Sequence, residues 1–149
     1  MKTTDELVRE LADREALRDL AIRYIDLLWR NDLDGLVSLF IEDGSFLAEN
    51  PENEVVARGH AELKKMFQKA VNTVQPRHYI HTHIVELRGG DRATGRCHVE
   101  LRSAKVGLQW IGSGCYEDEY TRVGEQWKLA SRRFIENDMA IALRSFIAS

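Results

Sequence analysis

The 149-residue chain has no excess of positive charge: 21 Lys and Arg stand against 24 Asp and Glu, a formal charge of -3. A nucleic-acid footprint needs a basic patch or stripe, so no such partner is expected. Long apolar runs are missing too. No stretch approaches the roughly 20 residues of a membrane span, and the opening "MKTTDELVRE" lacks the apolar centre of a secretory signal. A cytoplasmic location without membrane contact is the expectation. Cysteine is scarce. Cys97 and Cys115 lie in separate strand-like segments with no CxxC spacing, which suits two reduced core residues rather than a disulfide framework or a zinc knuckle. No long linker, low-complexity tract or repeat interrupts the chain. Residues 1–149 therefore read as one domain, long enough to bury roughly two thirds of its unfolded surface.

What is present divides into helices first and strands second. "TTDE" supplies Thr3 as an N-cap with Glu6 three residues on, a capping box, and Leu17, Leu20, Ala21, Tyr24, Ile25 and Leu28 then recur at helical spacing. Asp32 caps a shorter helix with a stripe of Leu33, Leu36, Val37, Leu39 and Phe40, before "EDGS" turns the chain into a strand near Phe46. Residues 60–74 repeat the helical pattern, and Pro76 stops it. Four stretches with period-2 alternation follow, 77–87, 92–103, 107–122 and 126–135, joined by "RGGD", "SAKVG" and "RVGEQ" as hairpin turns. Such an order predicts an α+β fold, an antiparallel sheet with its helices on one face and room for a pocket between them.

The run "PRHYIHTHIVEL" at 76–87 holds three of the five histidines. Alternation puts His78, Ile80 and Thr82 on one face and Tyr79, His81 and His83 on the other. A turn at Gly89 and Gly90 pairs His78 with Leu101, Ile80 with Val99 and Thr82 with Cys97, an apolar face, while His81, His83 and His98 share a polar one. Desolvation on the apolar face would keep His78 neutral, the state a base requires. A core histidine with both ring nitrogens satisfied fits the same pattern.

Three segments, "REALRDLAIRYIDLLWRNDLDGLVSLFIEDGSF" at 14–46, "RHYIHT" at 77–82 and "GCYEDEYTRVGEQWKLASRR" at 114–133, in this order resemble the SnoaL-like branch of the nuclear transport factor 2-like superfamily. The resemblance implies a cone-shaped curved sheet around a long N-terminal helix, with an internal cavity. The chain is similar to scytalone dehydratase, lindane dehydrochlorinase and bile acid 7α-dehydratase, which abstract a proton and expel a leaving group with a strand histidine paired to a helix aspartate. His78 matches that histidine, Tyr24 a helix tyrosine that donates to a substrate oxygen, and Arg132 a final-strand arginine. The helix aspartate is missing, and Trp29 stands in its place. An indole has one N–H donor and no acceptor, so it cannot orient an imidazole as a carboxylate does. Asp26, one turn earlier, shares a face with residue 29 and is the substitute candidate.

Other constellations have plainer readings beside them. His81, His83 and His98 with Glu100 have the residue types of a zinc site, but also those of a polar outer face, and the resemblance implies neither metal nor cofactor. Trp110, Gly112, Gly114, Tyr116, Asp118 and Tyr120 alternate onto one face, with Trp110 and Tyr116 lining the cavity or its mouth and Asp118 and Arg132 either a structural pair or a substrate clamp. The expectation is a cofactor-independent dehydratase or isomerase-type lyase for a small apolar cyclic ligand. His78, Tyr24, Arg132 and Asp26 would carry the chemistry, and Trp29, Trp110, Tyr116 and Thr82 would hold the ligand. The alternative is a non-catalytic ligand-binding or scaffolding protein resembling a dioxygenase β subunit. The superfamily also implies a homo-oligomer, a dimer or trimer, joined through the outer sheet face that carries Tyr79, His81, His83 and His98.

Overall fold

Thr3 caps the first helix as its sequence predicts. Its hydroxyl accepts from the Glu6 N–H at 3.2 Å, and the Glu6 carboxylate accepts from the Thr3 N–H at 2.7 Å. In this computed structural model, which describes residues 1–49 and 54–139, helix α1 then runs over Thr4–Trp29 and buries Leu17, Leu20, Ala21, Tyr24 and Leu28. Helix α2 (Leu33–Ser38) is capped by Asp32, which accepts from the Gly35 N–H at 2.9 Å. Phe40, expected in the stripe of α2, instead opens strand β1 (Phe40–Glu49) and is fully buried there. The strand β2 (Glu54–Arg58) was not expected, because four of its five residues are exposed and leave no alternation to read. Helix α3 (Gly59–Val74) ends where Gln75 turns left-handed at φ 46° and Pro76 follows.

The rest is the expected meander: β3 (Pro76–Gly89), β4 (Arg92–Ser103), β5 (Gln109–Val123) and β6 (Gln126–Met139). The six strands lie in the order β2-β1-β6-β5-β4-β3. β6 runs parallel to β1, so the curved sheet is open and mixed, whereas the other pairings are antiparallel. The inner face packs on α1, α2 and α3 around Leu36, Phe40, Leu63, Phe67, Val99 and Leu129. The class is α+β, as the order of elements implied.

Extra residues in β3 and β5 change which of the expected side chains face that core. Ile80 pairs with Val99, yet Thr82 pairs with His98, so His81 is a bulge with no partner of its own. Beyond it the faces exchange. Thr82, expected inside, is exposed on the outer face, and His83, expected outside, turns inward opposite the buried Cys97. The same happens in β5, where Leu101 pairs with Gly112 and Arg102 with Trp110. Ile111 is the extra residue and enters the core, while Trp110, expected to line a cavity, lies outside with 38% of its surface exposed. Neither Thr82 nor Trp110 is placed to hold a ligand on the inner face.

Gly114 marks where the sheet needs a bare backbone. A Cβ there would run into the Phe134 ring and the Ile135 carbonyl oxygen; that ring meets Tyr116 with centroids 5.4 Å apart. Gly114→Ala is expected to displace Phe134 and destabilise the fold by about 1–3 kcal/mol, the usual cost of overpacking a core. Urea unfolding reads this directly, and a variant as stable as wild type would mean that the ring moves freely.

Candidate functional site

Four elements place their polar side chains at one spot on the inner face. β6 contributes Arg132, with 1% of its side chain exposed, and β5 places Asp118 directly opposite it with none exposed. The guanidinium donates from Nε and Nη2 to the two carboxylate oxygens, both at 2.8 Å. Tyr24 from α1 and Tyr116 from β5 cover the guanidinium, whose carbon lies 4.1 and 4.2 Å from their ring centroids. Asp118 and Arg132 are thus a structural pair, and the cation is held between two aromatic faces. The Tyr24 hydroxyl is within reach of both Arg132 and the Tyr116 hydroxyl; burial pushes its pKa up to about 12, with the Arg132 charge opposing.

A histidine lies at each end of this pair. The Tyr116 hydroxyl is 3.0 Å from Nδ1 of His78. On the other side Tyr120 donates to Asp118 at 2.7 Å, and Nε2 of His83 lies 3.3 Å from the Tyr120 oxygen. The Tyr120 proton is already given to the carboxylate, so His83 must donate to Tyr120 through Nε2–H. Gly95, across from Asp118, admits the Tyr120 ring: a Cβ there would stand 2.8 Å from its Cε2.

His78 has one ring nitrogen engaged and one free. Nε2 has no hydrogen-bond partner among the described residues. Burial first, and the Arg132 charge second, push the pKa of this imidazole down from 6.5 to about 3. Between those values an unfolded chain binds a proton that the folded one refuses, so stability must fall as pH drops below about 6.5. His83 is lowered as well, chiefly by burial, and acts in the same sense. Denaturant midpoints from pH 7 to 4 should decline more steeply for wild type than for His78→Gln. Parallel slopes would show that His78 protonates freely in the fold.

The remaining sequence expectations fall outside this cluster. Asp26 is exposed on the solvent side of α1, ion-paired with Arg30 at 3.5 Å, so it supplies no carboxylate to His78. Its position follows from the helical period: the buried stripe runs through Tyr24 and Leu28, and residue 26 points away from both. Trp29 sits at the rim, 36% exposed, with its Nε1–H donating to the His78 carbonyl at 3.1 Å. His81 pairs with Glu100 at 3.0 Å on the outer face, and with His83 turned inward the described residues hold no cluster of three or more metal-ligating side chains. That face also has a depression of about 430 Å³ whose charged lining includes Glu86, Arg88, Arg96, Glu117 and Arg133 but not His78. Among the described residues no helix is long and apolar enough to cross a membrane.

A long helix against a curved mixed sheet places the protein among the α+β folds called NTF2-like or cystatin-like. The chain belongs to the SnoaL-like domain family, whose match spans residues 9–133. A Mycobacterium tuberculosis protein of unknown function, Rv3472 carrying D26N, is 26% identical with a TM-score of 0.79, covering 93% of this chain and 79% of its own. LinA is 21% identical, TM-score 0.77, over 91% of this chain and 93% of its own. A candidate scytalone dehydratase from Novosphingobium aromaticivorans is 20% identical, TM-score 0.73, over 86% of both chains. No curated protein sequence matches.

Proposed function

We propose that this protein is a cofactor-independent lyase of the dehydratase or isomerase type, acting on a small apolar cyclic molecule with His78 as the base. One observation carries the reading: Nδ1 of His78 is held by Tyr116 while no described residue partners Nε2. In this reading His78 donates Nδ1–H to the Tyr116 oxygen, Tyr116 stays protonated with its O–H turned toward the Tyr24 oxygen, and the lone pair on Nε2 takes the substrate proton. The tyrosine does the orienting that a helix aspartate does elsewhere. Arg132, pinned by Asp118 and covered by both tyrosine rings, is closed off from a substrate oxygen; it positions Tyr24 and Tyr116 and lends its charge to the cluster. Likeness to the candidate scytalone dehydratase supports the class of reaction.

The second reading, a ligand-binding or scaffolding protein without chemistry, has its own observation. Burial and the Arg132 charge make His78 a weak base, and no carboxylate among the described residues offsets them. A panel of hydroxylated and halogenated cyclic compounds, incubated with wild type and His78→Ala, separates the two. Product from the wild type alone is the expected result; equal activity in both removes His78 from the mechanism, and binding without turnover leaves the second reading. Under either, self-association as a dimer or trimer would use an outer face carrying Tyr79, His81 and His98, with His83 no longer among them.

A further inference from the structure

The last residue of α1 and three consecutive residues of β3 form a clamp at the place where His78 leaves the backbone. Trp29 donates its indole N–H to the His78 carbonyl at 3.1 Å. Its ring meets Tyr79 edge to face, with centroids 5.1 Å apart, and the Arg77 guanidinium lies over it at 5.7 Å. Each of Arg77, His78 and Tyr79 is thus engaged by the same indole. The fold makes this contact necessary. β3 is the edge of the sheet and is bonded to β4 on one side only. Three residues further on, the bulge at His81 interrupts even that ladder. A segment held from one side and broken nearby would open easily, and His78 with it.

We propose that Trp29 is a positioning residue for His78, fixing the imidazole through its backbone carbonyl instead of through the ring. The one polar atom of the indole is occupied by that carbonyl, so Trp29 has nothing left to offer a substrate oxygen. An indole has no acceptor for an imidazole N–H, and its single donor is spent on the main chain. The clamp and Tyr116 then have separate roles, since the first sets where the ring is and the second which nitrogen bears the proton. The catalytic meaning of this rests on the base reading above, but the positioning itself does not.

Trp29→Phe keeps the ring and removes the donor. With 15N-labelled histidine, the wild-type His78 ring should give the nitrogen shifts of a single neutral tautomer at pH 7, and the variant should give averaged shifts as the ring loses its fixed distance to Tyr116. Amide exchange of residues 77–80 should accelerate roughly threefold to tenfold, the effect of losing one hydrogen bond at an edge. For a substrate from the panel, kcat should fall with KM little changed. Unchanged ring shifts and exchange in Trp29→Phe overturn the proposal, whatever the activity. If instead the shifts move while His78→Ala keeps full activity, the clamp stands and the base reading fails.

Discussion

Asp118→Asn should be the most destabilising single change at the centre of this protein, at about 3–5 kcal/mol. The amide can still accept from Tyr120 and from one nitrogen of Arg132, so the loss is not one of shape. What disappears is the carboxylate that holds the Arg132 guanidinium, which is 1% exposed and enclosed by Tyr24 and Tyr116. A buried cation without its partner costs far more than the pair gained over a nonpolar substitute. For a chain of this size the melting temperature should fall by roughly 10 °C, at about 2–4 °C per kcal/mol. The double variant Asp118→Leu with Arg132→Met should therefore be more stable than Asp118→Asn alone. Calorimetry on the three proteins decides it, and an Asp118→Asn protein within about 1 kcal/mol of wild type would mean that water reaches the guanidinium.

His78→Gln, once a substrate is in hand, should lower kcat by about two to four orders of magnitude, the contribution of a positioned general base. Tyr116→Phe is the sharper experiment because it removes one oxygen and leaves the ring on Arg132. Freed from the hydroxyl, the imidazole can place its proton on Nε2, where it blocks the lone pair that must accept the substrate proton. A fall in kcat of about tenfold or more, with the KM of an apolar ligand nearly unchanged, is expected on that account. A Tyr116→Phe enzyme within about twofold of wild type would show that the tautomer is set elsewhere.

Much of the fold was legible because it rests on local chemistry. The capping box at Thr3 and Glu6, the stripe through Leu17, Tyr24 and Leu28, and the alternation of the last four strands each follow from spacing alone. Strand β2 was not legible, since an exposed edge strand has no buried face to impose a pattern. The site was half legible. His78 pairs with Leu101 as expected, but for a reason the sequence hides: the turn lies one residue further on than assumed, with Gly89 opposite Arg92, and two irregularities, one at Arg88 and the bulge at His81, together restore the register. Between turn and bulge the assumed pairing is off by one, which is why Thr82 and His83 were exchanged. The bulge at Ile111 misplaced Trp110 in the same way. Asp118 and Tyr120 stood on the right face in the sequence, but nothing there showed that they connect a second histidine to the arginine.

The extra residue at His81 also changes how the strand tolerates loss of length. In a regular strand a deletion reverses the parity of every residue on one side of it, sending core side chains into water. Removing His81 would reverse nothing: Ile80 and His83 already face inward across a two-residue step outside, and shortening that step to Thr82 alone leaves Ile80, His83 and Val85 where they are. The middle of β3, an element that normally admits no change of length, thus holds a position at which the chain can lose one residue and keep both inward histidines. A protein lacking His81 should fold with His83 still on Tyr120, whereas one lacking Thr94, in the regular part of the neighbouring strand, should not.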